Sequence, residues 1–464
     1  MKGWLVSWRP GTAPGDTTPW LASMWEFCAR YCTARFGEAW HLSPEQSLLL
    51  HAEQTVLPQQ IVVYAPKGAN NTINLLLGTS LYDLRQKDMP PAADLMERNG
   101  LRLFTPEAAL IKIPEAFFSW YPVEAHVVLS GIRDASDILG RLLDGGHSVF
   151  AGRLAGAFRR VDRPRVADEI IGAKETAGYA VREVDPFAPE QTFGTLHSGA
   201  SPIVLRLQAL WETCRELAIA AFPQPPGRPK DRRVYMHFVD DIYQSDAYHS
   251  LSIEGYRVTS DLIERVRSGN WNSDNHDADR QSRDALAARG YWQAFQRVRD
   301  AVDKIIAGAD AGPLARDAHR DWYRELFQPC VAAGLIAPSA LAGYRNDAVY
   351  LRGSYHVPPR WDSVRDAMPA LFDLIEKEPE PSVRAVLGHW LFGYIHPYPD
   401  GNERMARFLM NAMLASGGYP WTVIRGEDRD AYLAALETAS VQQNIAPFAG
   451  LVAERVRWSL EKAA

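Results

Sequence analysis

A short polar stretch between two strongly apolar helical patterns constrains the fold of this chain more than any other sequence feature. Apolar residues recur at intervals of three and four from Leu387 to Ile395, a spacing that predicts a buried helix. Pro397 follows at once and ends that helix. A second apolar pattern from Met405 to Met413 predicts another buried helix. The sequence therefore places a polar loop, and the start of a helix, inside a helical core.

The composition is typical of a globular protein of several domains. The chain has 464 residues, 47% hydrophobic and 23% charged, which excludes disorder and fibrous repeats. A formal charge of -6 gives no overall attraction to nucleic acid or to an anionic membrane. No stretch is long enough to span a membrane, and the N-terminal apolar run that Arg9 closes is too short for a signal peptide. Four cysteines do not make a disulfide framework, so we expect a cytoplasmic protein.

Glycines, prolines and polar turns divide the chain into four regions. Residues 1–130 mix a helix with short β-rich runs such as QQIVVYAP, which predicts an α+β module. Residues 131–222 have helical periodicity and include the strand-like run YAVREV, so a winged-helix-like subdomain is expected. Residues 223–233 are Pro-rich and basic, as linkers often are. Residues 234–464 are nearly all helical.

The polar stretch reads His396-Pro-Tyr-Pro-Asp-Gly-Asn-Glu-Arg404 and is called the signature loop below; Arg407 follows three residues later. Backbone N–H groups at the helix start, freed by Gly401, form an anion site that the helix dipole strengthens. Arg404 and Arg407 add positive charge, so phosphates fit there. Asp400 is an oxygen ligand suited to Mg²⁺, and His396 can act as a general base near neutral pH.

The signature loop closely resembles the signature of the Fic family, His-Pro-Phe-x-Asp/Glu-Gly-Asn-Gly-Arg-x-x-Arg, with Tyr398 for Phe and Glu403 for the second Gly. The resemblance runs from about Tyr235 to Val452. It implies a mainly α-helical domain with a small β-hairpin, and an enzyme that transfers AMP from ATP to a Ser, Thr or Tyr hydroxyl of a target protein. Self-modification would be a special case. The target and the oligomeric state are not set by the sequence.

The resemblance also assigns roles within the signature loop. His396 would deprotonate the attacking hydroxyl, and Asp400 would hold Mg²⁺ across the α- and β-phosphates. The nucleotide would be bound at Gly401, Asn402, the backbone of Glu403, Arg404 and Arg407.

Two upstream segments resemble other parts of the family pattern. Ser250-Leu-Ser-Ile-Glu254-Gly255 resembles its inhibitory motif, in which the glutamate pairs with the second arginine, here Arg407, and excludes the γ-phosphate. The segment Tyr344–Gly353, called the flap, resembles the part that docks targets by adding an extended chain to its edge. The docking residues so implied are Tyr344, Arg345, Val349, Leu351 and Gly353, with His356 and Pro358-Pro359 following.

Glu403 is the serious departure from the family pattern, and three outcomes are open. A carboxylate where phosphates should lie repels them, which would weaken or block the enzyme. A changed nucleotide donor or pose is the second outcome, because the related Doc toxins, with Lys at this position, phosphorylate instead. In the third, Glu403 points outward and is favoured at the helix start by the dipole.

The N-terminal third suggests a rival function. Residues 41–66 and 100–110 faintly resemble AbiE-type antitoxins of toxin–antitoxin systems. A basic cluster lies at residues 153–165, and a basic helix face with a wing can bind DNA through phosphate contacts. The alternative is therefore a DNA-binding regulator or antitoxin-like protein with a degenerate Fic core. The cluster consists of Arg153, Arg159, Arg160, Arg163 and Arg165.

Overall fold

A computed structural model describes residues 16–144, 146–189, 191, 193–194, 196, 199–269 and 283–463. The N-terminal apolar run lies outside these residues. None of the helices described is both long and apolar enough to cross a membrane. The helices are α1 (Thr18–Phe36), α2 (Pro44–His51), α3 (Pro106–Leu110), α4 (Ala116–Trp120), α5 (Pro122–Gly131), α6 (Ser136–Asp144), α7 (Ser148–Arg160), α8 (Pro164–Thr176), α9 (Pro202–Ala221), α10 (Arg232–Ile253), α11 (Ser260–Arg267), α12 (Arg283–Ile306), α13 (Ala311–Ala332), α14 (Val364–Lys377), α15 (Pro381–Ile395), α16 (Asn402–Ser416), α17 (Arg429–Gln442) and α18 (Ala446–Ala463).

The chain folds into two compact units. The first combines the residues up to Thr213 with the later segment Tyr350–Val357. The second contains Cys214–Val349 and the residues from Pro358 onward. The boundary between the two units lies between Thr213 and Cys214, inside α9. The linker predicted at residues 223–233 stays a prediction.

The first unit is an α+β fold around a four-stranded sheet. Its strands lie in the order β1 (His41–Leu42), β2 (Gln60–Ala65), β4 (Ser80–Arg85), β3 (Asn71–Asn74), and only the β2–β4 pair is parallel. Alternation in β2 buries Ile61, Val63 and Ala65 against α1, as the run QQIVVYAP predicts. A separate hairpin pairs β5 (Leu95–Arg98) with β6 (Leu101–Phe104). The mainly helical fold with a small sheet is confirmed.

The strand-like run YAVREV forms no wing. Residues 179–184 belong to no strand, because they lie along α7 instead. The amide of Val184 donates to the carbonyl of Gly152 at 3.1 Å. A Cβ on Gly152 or Gly156 would come within about 2 Å of the carbonyl oxygens of Arg182 or Val184, at 1.9 and 2.1 Å. Because the two glycines have no side chains, residues 179–184 can lie close against α7. The alternating pattern of these residues contains no information about that contact.

The second unit is a helical core that carries the signature loop. Asp231 caps α10 by accepting hydrogen bonds from the amides of Arg233 and Val234 at 2.8 and 3.4 Å. α15 and α16 are buried on almost every side and pack against each other, as the apolar patterns predict. α10, α12 and α13 pack around α16 or one another. The polar loop therefore opens inside a helical core.

The predicted β-hairpin at the flap is not formed. None of the residues 344–353, all of which are described, belongs to a strand. A turn closes on a hydrogen bond from the Ser354 amide to the Leu351 carbonyl at 3.2 Å, with Gly353 at a φ of 76°. An isolated antiparallel bridge joins His356 to Val56. The flap therefore has no partner strand of its own.

Candidate active site

His396 ends α15 in the left-handed conformation, with a φ of 50°. This conformation costs a residue other than glycine on the order of 1 kcal/mol, so surrounding contacts must hold it. The His396 amide donates to the Phe392 carbonyl at 3.0 Å. The Arg345 side chain donates from Nε to the His396 carbonyl at 2.8 Å. The backbone of the histidine is thus fixed on both sides.

The surroundings of the His396 imidazole keep it neutral. Burial, and to a smaller extent the positive charge of Arg345, lower the pKa of His396 to about 4. The Gly393 carbonyl and the Asp400 carboxylate act in the opposite direction. At neutral pH the ring can accept a proton, which is the state that a general base requires.

Gly401 opens α16 and only glycine fits there. Its φ is 77°, and a Cβ would lie 2.7 Å from a ring carbon of Phe327. The Asn402 side chain closes the signature loop by accepting from the Tyr398 amide and donating to the Tyr398 carbonyl, each at 2.8 Å. The first amides of α16 are therefore held at a helix start, the arrangement that binds anions.

The two arginines of the signature are buried and differ in their partners. Arg404 lies between the rings of Tyr256 and Phe327, at 5.3 and 5.2 Å, and its Nε has no hydrogen-bond partner among the described residues. Arg407 Nη2 lies 2.7 Å from a Glu254 oxygen, and its Nε donates to the Ser250 hydroxyl at 2.9 Å. Buried guanidinium groups with unused donors are suited to phosphate oxygens.

The predicted inhibitory segment reaches Arg407. α10 ends just before Glu254, and Gly255 follows with a φ of 81°. Ser250 contributes both its hydroxyl and its carbonyl, which accepts from Arg407 Nη2 at 3.1 Å. The Glu254 side chain is 24% exposed and that of Arg407 is 4% exposed. A partly exposed carboxylate therefore forms an ion pair with a buried guanidinium group.

Glu403 is half-buried, and its carboxylate faces Tyr432. Its Oε2 accepts a hydrogen bond from the Tyr432 hydroxyl at 3.2 Å, and that hydroxyl also contacts His389 Nε2 at 2.8 Å. Burial, and then the nearby Glu254 carboxylate, raise the pKa of Glu403 to about 7, although Arg407 and Tyr432 act to lower it. The outward orientation considered from the sequence is therefore wrong. The Tyr432 hydroxyl binds this carboxylate, and His389 in turn binds the Tyr432 hydroxyl.

The base of the flap supports the signature loop. The Arg345 amide donates to the Pro397 carbonyl at 2.8 Å, and its buried guanidinium donates to the carbonyls of His396, Ile395, Asp347 and Pro359. The Tyr344 hydroxyl is 2.8 Å from His319 Nε2. Tyr344 and Arg345 are thus turned toward the core, whereas Val349 and Leu351 are half-buried and Gly353 is exposed.

Several residues that support the site could not be predicted from the sequence. Tyr323 stacks on Tyr398 with ring centroids 3.8 Å apart, which anchors the tyrosine that replaces the family phenylalanine. His389 and Tyr432 hold Glu403, yet both sit within apolar helical patterns in which a core position is the ordinary interpretation. Their partners are distant in sequence, so no local motif identifies them.

A magnesium ion fits the signature loop through a single protein ligand. Asp400 is 63% exposed on its side chain, and its Oδ1 accepts from the Gly401 amide at 2.6 Å and lies 3.6 Å from Arg404. In the described part of the chain no three His, Cys, Asp or Glu side chains are grouped so as to hold a metal ion. One exposed carboxylate suits Mg²⁺, which is commonly held by one or two carboxylates, water and substrate phosphates.

The arginine cluster of the first unit offers little free charge. Four of its five members pair with carboxylates: Arg153 with Glu115, Arg159 with Asp168 and Glu183, Arg160 with Asp185, and Arg165 with Glu169. Arg163 donates to backbone carbonyls, among them that of Leu129 at 2.9 Å. Internal pairing weakens a phosphate-binding interpretation, and DNA binding stays a prediction, as does the likeness to AbiE-type antitoxins.

Similarity to known proteins agrees with this geometry. Residues 313–414 match the sequence model of the Fic/DOC family. The chain is 41% identical over 124 residues to Protein adenylyltransferase Fic of Nematostella vectensis, covering 26% of this chain and 28% of that protein. It is 32% identical over 132 residues to the protein of the same name from Drosophila willistoni, covering 28% and 26%. The matches thus span little more than a quarter of these relatives.

One solved structure with a similar arrangement is Fic-1 (residues 134–508) from C. elegans. It overlaps 71% of this chain and 91% of its own, at 16% identity and a TM-score of 0.42. An overlap this loose leaves the assignment to the sequence matches and to the signature loop. On those grounds residues 313–414 are similar to the Fic/DOC family.

Proposed function

We propose that this protein transfers AMP from ATP to a hydroxyl group of a protein. The observation that carries the proposal is the signature loop, in which a neutral, half-buried histidine stands beside a glycine-opened helix start and two buried arginines. These are the groups that phosphoryl chemistry needs: a base, fixed anion donors and positive charge. The name of the matching relatives supports the same reaction.

The reaction assigns one proton transfer to His396. The hydroxyl oxygen of the target attacks the α-phosphorus of ATP while the imidazole takes its proton. The new bond joins that oxygen to phosphorus, and the bond to the β-phosphate oxygen breaks, so pyrophosphate leaves. His396 is suited to this because its pKa of about 4 leaves it unprotonated at neutral pH.

The nucleotide would be held by the helix start and the arginines. The amides from Gly401 into α16 would bind the negative charge of the phosphates, including the charge that develops during transfer. Arg404 and Arg407 would bind the β- and γ-phosphates. Asp400 would hold Mg²⁺, which when bound neutralises phosphate charge and favours departure of pyrophosphate. Asn402 contributes through its backbone, because its side chain is already engaged with Tyr398.

The resting enzyme would be damped by two carboxylates. Glu254 pairs with Arg407 at 2.7 Å and competes with the γ-phosphate for it. Glu403, which faces the same arginine, adds a second negative charge when ionised. The family glycine at this position has no such charge, so we propose that Glu403 lowers nucleotide affinity or changes the preferred donor.

The direct test is incubation of the full chain with Mg²⁺ and labelled ATP, GTP, UTP or CTP, followed by intact-mass measurement. The expected result is a mass increase of one AMP on the chain itself or on an added acceptor protein, and none with His396→Ala. A nucleotide other than ATP as the preferred donor would indicate a changed specificity. Transfer in the His396→Ala variant equal to the parent would refute the mechanism.

A further inference from the structure

The distal flap segment, Tyr350–Val357, is built into the first unit although it lies between two parts of the second unit in sequence. The Val357 amide donates to the Thr55 carbonyl at 2.7 Å. His356 Nδ1 and the Thr55 hydroxyl are in hydrogen-bond contact at 3.0 Å. His356 also forms the antiparallel bridge with Val56. Backbone and side chain together thus attach this segment to residues 301 positions away.

The attachment is buried and packed. His356 is 1% exposed and Thr55 6%. Tyr350 and Val357 pack against the hydrophobic cluster that surrounds the sheet of the first unit. A buried hydrogen bond between two side chains is costly to leave half-made, so the pair resists separation. The distal flap segment is therefore part of the folded core of the first unit and not a free loop.

The other end of the flap is fixed to the signature loop. Arg345 holds the carbonyls on either side of His396 through its guanidinium and its amide. Between the two attachments, Ala348 and Val349 make no backbone hydrogen bond among the described residues. These two residues offer the free main-chain groups to which an extended chain could add.

We propose that the first unit is the positioning element of the target-docking flap, and that Thr55 and His356 are its positioning residues. By holding Tyr350–Val357, they hold the stretch of chain that directly follows Ala348 and Val349, whose backbone a target could use. The inference rests on the proposed function, because docking matters only if the chain modifies a protein. It assigns target acceptance, but not nucleotide binding, to the N-terminal part of the chain.

The test compares Thr55→Val with Thr55→Ser in the full chain. Valine has the shape of threonine without its hydroxyl, whereas serine keeps the hydroxyl. Hydrogen exchange of the Val357 amide, and the rate of tryptic cleavage after the exposed Arg352, report attachment directly. Both should rise about fivefold in Thr55→Val, the effect of one lost buried hydrogen bond, and stay near the parent in Thr55→Ser. His356→Ala should act in the same direction.

Docking is then measured with dephosphorylated casein, an unfolded and hydroxyl-rich acceptor. Thr55→Val should raise the KM for casein about fivefold, leave kcat within about twofold and leave ATP affinity unchanged, while Thr55→Ser restores the parent KM. A merely structural role would lower the melting temperature without separating KM from kcat.

Each other result counts against a stated part of the inference. Equal exchange and cleavage in parent, Thr55→Val and His356→Ala would refute the attachment. Faster exchange with an unchanged KM would refute the docking role. A parent chain that transfers AMP neither to casein nor to itself would refute the proposed function and the docking role with it, while the exchange data would still decide the attachment.

Discussion

The signature loop and the flap are both irregular segments, but they are held in place by different means. The signature loop is closed from within, because Asn402 binds both backbone groups of Tyr398, four residues away. The flap is held from outside, at one end by the signature loop and at the other by Thr55. A motif of nine residues can therefore specify the first segment, whereas the second depends on a distant part of the chain.

This difference separates the proposed roles. The signature loop carries base, anion donors and arginines, so changes there should alter nucleotide chemistry whatever the acceptor. The distal part of the flap contains none of the residues assigned to the phosphates, so changes there should alter protein acceptance. The predictions that follow test this separation, in order of decreasing expected effect.

The largest effect is expected for His396→Ala. Loss of the general base should reduce transfer by about a hundredfold or more, because proton removal typically contributes that much. ATP affinity, measured by calorimetry, should change little, since the ring is not a phosphate ligand. His237→Ala is the matched control because the His237 side chain is 76% exposed. A parallel loss of ATP binding would instead give His396 a role in the nucleotide pocket.

Glu254→Gly should raise both ATP affinity and transfer, by about tenfold or more. The change removes the carboxylate 2.7 Å from Arg407 and leaves that arginine for the γ-phosphate. Glu254→Gln separates charge from shape, and it should produce most of the gain if charge repulsion dominates. Calorimetric titration and initial rates measure the two quantities. If both stay at the parent values, the pairing with Arg407 has no regulatory role.

Arg345→Gln tests the separation between the signature loop and the flap most directly. Arg345 lies in the flap segment of the sequence, but its side chain contacts the signature loop. Transfer should fall about tenfold as the His396 backbone loosens, since misplaced catalytic groups lose rate steeply. Loss of the guanidinium charge should also raise the pKa of His396 from about 4, so the acid limb of the rate profile should move to higher pH.

Arg345→Lys provides the control for that experiment. It keeps the charge but not the planar fork, so the acid limb should stay near its original pH while the rate still falls. Equal KM values for ATP in parent and both variants would confirm that the effect lies on the chemical step. A rise in the KM for the protein acceptor alone would place Arg345 with the docking residues after all.

Glu403→Gln is expected to have the smallest effect and to depend on pH. The pKa of Glu403 is about 7, raised by burial and by Glu254, so the side chain gains negative charge as pH rises through 7. ATP affinity of the parent should therefore fall between about pH 6 and 8, and the variant should lack this fall. At pH 8 the variant should bind ATP about fivefold to tenfold more tightly.

Two further variants extend the Glu403 test. Glu403→Gly should act like Glu403→Gln on affinity but also lower the melting temperature, because glycine weakens the first turn of α16. Combining Glu403→Gly with Glu254→Gly should give the highest activity. Since both carboxylates face Arg407, their effects should not simply add. Identical affinity curves for parent and Glu403→Gln from pH 6 to 8 would reject the obstruction.

Stability should follow pH in the same region. A folded pKa of about 7, above the ordinary value of 4.5 for a glutamate, means that the folded protein binds a proton more readily at Glu403 than the unfolded chain does. Glu403 therefore favours folding most at low pH, and that contribution is lost as pH rises from about 4.5 through 7. The parent's melting temperature should decline relative to Glu403→Gln across this interval.

The sequence predicted those parts of the molecule whose determinants are local. Apolar spacing located α15 and α16, and Pro397 and Gly401 marked the end of one helix and the start of the next. The same spacing could not show that Glu403 points toward Tyr432, because that contact joins residues 29 positions apart on separate helices. Side-chain direction at a helix start depends on what packs beside it.

The hairpin predicted at the flap and the wing predicted at residues 179–184 were wrong for one physical reason. Alternating side chains predicted a hairpin at the flap and a wing at residues 179–184, but an extended segment becomes a strand only when a neighbour completes its hydrogen bonds. The distal flap segment meets Thr55 and Val56 through an isolated bridge and not through a continuous ladder, and residues 179–184 meet the backbone of α7. The alternation of side chains was visible in both places, whereas the partner was not.

The two hydrogen bonds between the Asn402 side chain and the Tyr398 backbone affect the thermodynamics of ligand binding. Both hydrogen bonds join residues of the loop to each other, so the loop loses its conformational freedom when the protein folds. A ligand then meets a rigid receptor, and little of its binding enthalpy is offset by ordering the chain. Small, stiff phosphate mimics should for that reason be favoured as inhibitors over flexible compounds that rely on the loop adapting to them.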